Sequence, residues 1–342
     1  MSIIRVTPRI QKIIMNAAGF LISFFLLLWT FRTYNFREAL LYLPSANYWY
    51  LLVVLFLIVI NFSLRAMRWG TLFPVQMVRS WSSLFIALMT GYFANNILPA
   101  RIGELVRVYV LGKREGITKS MTFATIVTER SVDLLVLICL LAVITFFFPF
   151  PLWLRNAGRF IGLVGVSCVF LLIVFNVWAK SLLKLMIGRI TFLPTNTVDK
   201  ITIIAEEFIR GASTLGVKKN LLYFGAGTLG IWFLETFTIY LIAHSLAIPL
   251  TMGGALFVML AVGIGSIVPA SPGNIGTYEF FAVSSLSLLH ISGARALSFV
   301  LIMHGVTFLE SSLLGAACVA MLHQNLTTVF MASRGLNNAR NG

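Results

Sequence analysis

Between two strongly apolar segments the chain reads Ile267-Val268-Pro269-Ala270-Ser271-Pro272-Gly273-Asn274-Ile275-Gly276-Thr277-Tyr278-Glu279. A helix cannot run through it. Pro269 and Pro272 lack the N–H and crowd the preceding turn, while Gly273 and Gly276 allow backbone angles that other residues avoid. At membrane depth such irregular backbone survives only where protein or a wet cavity satisfies its polar groups. The stretch, Asn274 included, is therefore expected to be a broken re-entrant element lining a cavity.

The rest of the composition agrees with a membrane setting. Of 342 residues 59% are hydrophobic and 11% charged, and several apolar runs reach the roughly 20 residues a spanning helix needs. The length suits about two units, here two bundles of spanning helices, since no stretch is long and polar enough for a soluble domain. A net charge of +15 comes from 26 Lys and Arg residues scattered over short loops. That scatter marks topology under the positive-inside rule and argues against a nucleic-acid partner. Arg5, Arg9 and Lys12 precede an apolar run without a small-residue cleavage site, the pattern of an uncleaved signal anchor. Cys139, Cys168 and Cys318 stand alone in apolar segments, with no metal spacing or disulfide framework.

Taken in order, spans are expected at about 14–31, 48–64, 121–148, 157–178, 221–243 and 296–322. Residues 81–112 are apolar enough to start another span, but crossing would carry the basic run Arg101, Arg107, Lys113, Arg114 and Lys119 outside. A re-entrant hairpin turning at Asn95-Asn96-Ile97-Leu98-Pro99 removes the conflict. A second hairpin is expected over 252–290. Residues 180–219 carry a cytoplasmic amphipathic helix that lies in the interface or on the bundle. Both termini are then cytoplasmic, and the outside keeps only Arg32, Arg37, Arg155, Arg159 and Arg295 among the cations. The fold class is an all-α polytopic membrane protein with about six full spans and two broken hairpins.

The expected series falls into two halves, 1–150 and 151–342, each with two spans, a hairpin and a span, starting from opposite sides. The hairpin tips share wording: Ile97-Leu98-Pro99-Ala100 with Ile102-Gly103 and Glu104, against Ile267-Val268-Pro269-Ala270, a four-residue insertion, then Ile275-Gly276 and Glu279. Inverted-topology repeats with broken helices near the midplane are a transporter architecture.

Six acidic residues, Glu104, Glu129, Asp133, Glu235, Glu279 and Glu310, fall in or beside membrane segments, with Arg101, Arg107 and Arg130 among them. Intramembrane charges are costly and turn toward partners or wet cavities. Arg101, Glu104 and Arg107 are spaced to form one helical stripe, and Glu129 and Asp133 share a face beside Arg130. These charges either pin hairpins to spans as ion pairs or bind substrate. Arg101, Arg107 and Glu279 border the backbone breaks and are read as functional, because arginine's planar fork suits a phosphate and half-helix N-termini add donors. His304, mid-span, is open to two readings, a satisfied core histidine or a proton or head-group partner. The sequence has no Walker loop, nucleophile elbow or His-Glu-x-x-His motif, and neither metal nor cofactor is expected.

Four ordered motifs carry a resemblance: Arg65-x-x-Arg68-Trp69; Asn95-Asn96-x-Leu98-Pro99-x-Arg101-x-Gly103-Glu104-x-x-Arg107; Glu129-Arg130-x-x-Asp133; and Pro269-x-x-Pro272-Gly273-x-x-Gly276-x-x-Glu279. Over nearly its whole length the chain resembles the flippase-like transmembrane region of lysyl-phosphatidylglycerol synthases. The resemblance implies a prokaryotic inner-membrane protein that translocates lipids with phosphate-bearing head groups. It also implies that Arg101, Glu104, Arg107, Glu129, Arg130, Asp133 and Glu279 bind substrate. The full synthases carry a cytosolic aminoacyl-transferase domain, and the chain ends at Gly342 without one, so lipid aminoacylation is not expected of it. The expected activity is lipid translocation rather than enzymatic chemistry, the alternative being an enzyme or accessory subunit acting on lipid-linked sugars. Expected partners are an anionic lipid, the bilayer, and either a second copy of the chain or a glycosyltransferase or lipid synthase.

Overall fold

The computed structural model describes residues 8–74, 77, 80–98, 101–147, 218–268 and 270–338, with isolated positions between 152 and 206. Nearly all of the span expected at 157–178 and of the amphipathic segment over 180–219, and both Pro99 and Pro269, lie outside the described residues.

Among the described residues the protein is all helical, with ten α-helices. They are α1 (Pro8–Thr33), α2 (Phe36–Tyr42), α3 (Tyr48–Gly70), α4 (Trp81–Ile97), α5 (Gly103–Glu115), α6 (Lys119–Phe147), α7 (Lys218–Ser245), α8 (Met252–Gly265), α9 (Thr277–Leu288) and α10 (Gly293–Asn338). Local chemistry sets several of their ends. Asn35, Asn47 and Thr251 accept N–H groups in the first turns of α2, α3 and α8, the usual side-chain cap. Gly116 closes α5 in the left-handed conformation, with φ 70°. The short helix α2 was not anticipated from the sequence.

Among the described residues three helices are long and apolar enough to cross a bilayer: Tyr48–Gly70, Lys219–Ser245 and Gly293–Leu322. Helix α6 has 29 residues, but Glu129, Arg130 and Asp133 interrupt its apolar pattern. Helices α5, α8 and α9 have 13, 14 and 12 residues. At 1.5 Å per residue they reach only about 20 Å, short of a hydrocarbon core of about 30 Å. Large apolar side chains face outward along the long helices, including Trp29, Phe56, Leu229 and Leu313. So broad an apolar exterior suits lipid as its solvent.

Helices α3 and α7 form the central pair. Arg68 lies against Gly227 and Thr228, while farther back along α3 Asn61 donates to the carbonyl of Ile231 at 3.1 Å. As α3 descends α7 rises, so the two are antiparallel. The lack of a side chain on Gly227 gives the stem of Arg68 its passage, since a Cβ there would stand 3.2 Å from it.

Helices α4 and α5 pack against each other as a hairpin, and so do α8 and α9. The first hairpin is tight because backbone meets backbone: a Cβ on Gly103 would lie 2.0 Å from the carbonyl oxygen of Gly91. Asn95 Oδ1 accepts the Gly103 N–H at 2.8 Å, tying the end of α4 to the start of α5. Helix α6 packs on α5 and α8, and α10 on α9 and α4.

Candidate functional site

The expected charged constellation forms one continuous network, with a membership that differs from the sequence reading. Helix α3 supplies Arg68, fully buried, whose guanidinium grips Asp133 in a two-pronged pair at 2.6 and 3.0 Å. It also donates to Glu129 Oε1 at 3.0 Å and Thr228 Oγ1 at 3.2 Å. Glu129 passes its other oxygen to Arg107 at 2.8 Å. Arg107 donates to Glu104 at 3.1 Å, and Glu104 Oε1 pairs with Arg130 at 2.9 Å. The order Asp133, Arg68, Glu129, Arg107, Glu104, Arg130 alternates in sign, with three carboxylates against three guanidiniums. A separate pair, Arg65 with Glu235, joins α3 to α7, and Arg65 Nε donates to Asn61 at 2.9 Å.

Helical spacing explains the assembly. Glu129 and Asp133, four apart on α6, face the same way, and both meet Arg68. Trp69 follows Arg68 on α3 and turns to α6, donating its indole N–H to Thr125 Oγ1 at 3.1 Å. The ring of Trp69 also carries the guanidinium of Arg107, 4.1 Å from its centroid, a favourable stack for a weakly hydrated cation.

The three-residue stripe expected of Arg101, Glu104 and Arg107 holds only for the last two. Arg101 precedes α5 and sits at φ 53° in the left-handed region, so its side chain leaves the helical face. It is exposed and has no ion-pair partner among the described residues. Its charge still lies within electrostatic reach of Arg130 and Glu104. The buried network is neutral; Arg101 adds one positive charge at its open end, beside Arg130, whose side chain is 41% exposed. Arg107, by contrast, is 2% exposed and committed to two carboxylates.

The second break is held differently. Residues Pro272–Asn274 form one 3-10 turn with Gly273 at φ 67°, and Gly276 follows at φ 96°. A side chain at Gly276 would meet Ser23 of α1, with a Cβ 2.2 Å from the Ser23 carbonyl oxygen. Ser23 Oγ also accepts the Ser271 N–H at 2.8 Å. Glu279 reaches back to accept the Gly276 N–H at 2.6 Å, as carboxylates in the first helical turn do. Its other oxygen meets His304 Nδ1 at 2.6 Å, and His304 Nε2 meets the Gly273 carbonyl at 3.0 Å.

The two breaks come together. The 3-10 turn at Pro272–Asn274 packs on α4, and the built Cβ of Gly273 lies 3.8 Å from the carbonyl oxygen of Asn96. Asn96 in turn donates to Ser311 and Ser312 of α10, each at 2.9 Å. Among the described residues the structure therefore gathers Glu104, Arg107, Glu129, Arg130 and Asp133 into one network. Glu279, Gly273 and Gly276 form a second cluster, and Asn96 lies at their junction.

Sequence reasoning missed Arg65, Arg68 and Glu235 as site members and left His304 undecided. The signal for the arginines is in the sequence, since Arg65 and Arg68 lie at i, i+3 on a spanning helix, but basic residues at that end of a span equally fit the positive-inside pattern. A cleft of about 300 Å³ between α1 and α9, lined by Trp29, Thr30, Phe280 and Ser284 among others, has no charged side chain among its described lining residues.

An all-helical polytopic protein with a sign-alternating buried network beside two interrupted helices is an integral membrane protein built around a polar interior. The sequence pattern of the lysylphosphatidylglycerol synthase TM region matches residues 16–315, and the chain belongs to that family. It is similar to glycosyltransferase AglD of Haloferax volcanii, 23% identical over 94% of this chain and 57% of that protein. The chain thus spans little more than half of that relative. It is also similar to UPF0104 membrane proteins of Methanothermobacter thermautotrophicus, 26% identical over 84% of this chain and 90% of that one, and of Methanocaldococcus jannaschii, 25% identical over 68% and 96%. No solved structure matches the chain.

Proposed function

We propose that the protein is a lipid flippase of a prokaryotic cytoplasmic membrane, moving a phosphate-bearing phospholipid or polyprenyl-phosphate-linked lipid between leaflets. The observation that carries this reading is the charge distribution around the first break. Arg68 and Arg107 are buried and committed to carboxylates of the neutral network, while Arg101, without an ion-pair partner among the described residues, adds one positive charge at its open end beside Arg130. Arg101 and Arg130 take the lipid phosphate as a pair of guanidinium forks. Glu104, itself held by Arg107, fixes the fork of Arg130. The acyl chains stay in the bilayer as the head group passes.

An inverted repeat supports alternating access. Helices α3 and α7 run antiparallel and carry contacts between residues 170 apart, Asn61 with Ile231 and Arg65 with Glu235. The same offset relates the starts of α3 and α7, and with the four-residue insertion it relates α5 to α9 and α6 to α10. Counted from those helix starts, Arg130 matches His304, Glu104 matches Tyr278, and Asp133 matches Thr307. Glu104 touches Arg130 and Tyr278 stacks on His304, so equivalent positions make equivalent contacts with different chemistry. The short helices of both hairpins fit re-entrant elements between six full spans, with both termini cytoplasmic. A homo-oligomer or a glycosyltransferase or lipid synthase partner is compatible with the outer surface.

The similarity to a protein named as a glycosyltransferase favours a second reading, an enzyme or accessory subunit acting on lipid-linked sugars. Product mass separates the two. In native mass spectrometry the purified protein is expected to retain added phosphatidylglycerol or a polyprenyl phosphate at unchanged mass, and Arg101→Ala with Arg130→Ala to lose it. A lipid of altered mass supports the enzyme, and equal retention by the double variant overturns the phosphate site.

A further inference from the structure

We infer that Glu279 and His304 together form a proton-binding site whose bound proton holds the second hairpin break closed. Both ring nitrogens of His304 face oxygen acceptors, Nδ1 the Glu279 carboxylate at 2.6 Å and Nε2 the Gly273 carbonyl at 3.0 Å. A neutral imidazole has one N–H and can serve only one of them. The Gly273 carbonyl has no proton to give, so Nε2 must be the donor there. The contact at Nδ1 then needs a second proton, carried either on the imidazolium or on the carboxyl of Glu279. Either way the pair holds one proton more than a neutral histidine beside an ionised carboxylate.

That proton ties together three pieces of chain. Glu279 Oε2 holds the Gly276 N–H, His304 holds the Gly273 carbonyl, and the shared proton joins the two side chains across α9 and α10. When it leaves, the pair becomes an ionised carboxylate facing an imidazole with a single N–H. The ring keeps Glu279 and releases Gly273, or keeps Gly273 and turns a lone pair toward the carboxylate. Glu279 and His304 are 5% and 8% exposed, so water does not readily replace the lost contact. The turn from Gly273 to Gly276 then loses one of its fastenings next to Asn96 of α4.

The neighbours leave this pair as the titrating unit. From α9, Tyr278 stacks on the imidazole with centroids 4.2 Å apart and shares a hydrogen bond with Thr307 of α10. From α7, Glu235 reaches Tyr278 electrostatically and is paired with Arg65 of α3. From α10, Phe308 meets the ring edge-on. The contacts from α4 and α1 come through Asn96 and Ser23, neither of which titrates. Coupling of this proton to lipid movement rests on the flippase reading; the proton site itself does not.

Hydrogen–deuterium exchange of the full-length protein in lipid nanodiscs, read on the Asn274 and Gly276 amides and corrected for intrinsic exchange, tests the site. As pH rises across the transition the protection factor is expected to fall, by at most about tenfold per pH unit, the slope for one proton. Glu279→Gln, whose amide donates to Nδ1 while its oxygen keeps the Gly276 N–H, is expected to stay protected at every pH. A flat wild-type profile, which needs no variant to fold, overturns the inference, as does an unchanged slope in Glu279→Gln. An intact transition in a protein that moves no lipid supports the proton site while removing the transport reading.

Discussion

Arg68→Leu removes the centre of the buried network with little change in volume. The guanidinium is fully buried and engages Glu129, Asp133 and Thr228. Deleting it leaves Asp133 without an ion-pair partner and Glu129 with Arg107 alone. Breaking a buried pair in this way costs about 3–5 kcal/mol, because an uncompensated charge remains. At 1.4 kcal/mol per decade, that is about two to three and a half decades in the unfolding equilibrium. Unfolding in detergent micelles titrated with SDS, followed by tryptophan fluorescence, measures it. Adding Asp133→Leu is expected to recover about 1–3 kcal/mol as a coupling between contacting residues. A cost below about 1 kcal/mol for Arg68→Leu, with strictly additive variants, would refute the claim that the network holds α3 to α6.

Gly103→Ala drives a methyl group into the Gly91 carbonyl and is expected to destabilise by about 1–3 kcal/mol, seen as a lowered melting temperature in detergent; an unchanged one contradicts the tight hairpin. Glu310 is 8% exposed and neither carboxyl oxygen has a hydrogen-bond partner among the described residues, so Glu310→Leu is expected to be neutral or stabilising in the same measurement. A loss of more than about 2 kcal/mol would show that the carboxyl has a partner. Cysteines replacing Asn96 and Ser311 are expected to cross-link in the membrane under mild oxidation, and failure to do so places α4 away from α10. Phosphatidylglycerol binding is expected to weaken about 10- to 100-fold in Arg130→Ala, the loss of one charge-assisted contact of about 1.5–3 kcal/mol. Unchanged retention in a lipid-competition titration would count against Arg130 as a phosphate ligand.

Much of the helical plan was legible because it depends on local chemistry. Pro272, Gly273 and Gly276 break a helix wherever they occur, and Asn95 with Gly103 marks the other break through a cap and a close backbone approach. Pairings between distant segments were not legible in that way. Arg68 meets Glu129 and Asp133 only because α3 packs beside α6, and spacing along one helix does not encode that neighbour. Arg101 shows the converse error. Its spacing from Glu104 fits a helical stripe, but the left-handed turn before α5 removes it from the face. His304 remained open for the same reason as Arg68, since its partners Gly273 and Glu279 belong to other elements.

The central claim is that Arg101 and Arg130 carry a lipid phosphate across the membrane. Proteoliposomes containing the purified protein and a fluorescent phosphatidylglycerol, with outer-leaflet label quenched over time, measure translocation directly; a matched polyprenyl-phosphate probe extends the test to the other lipid class. The account predicts protein-dependent movement of at least one probe, abolished by Arg101→Ala with Arg130→Ala in protein that still melts normally. No movement of either probe with or without a proton gradient, or equal movement by the double variant, would contradict it.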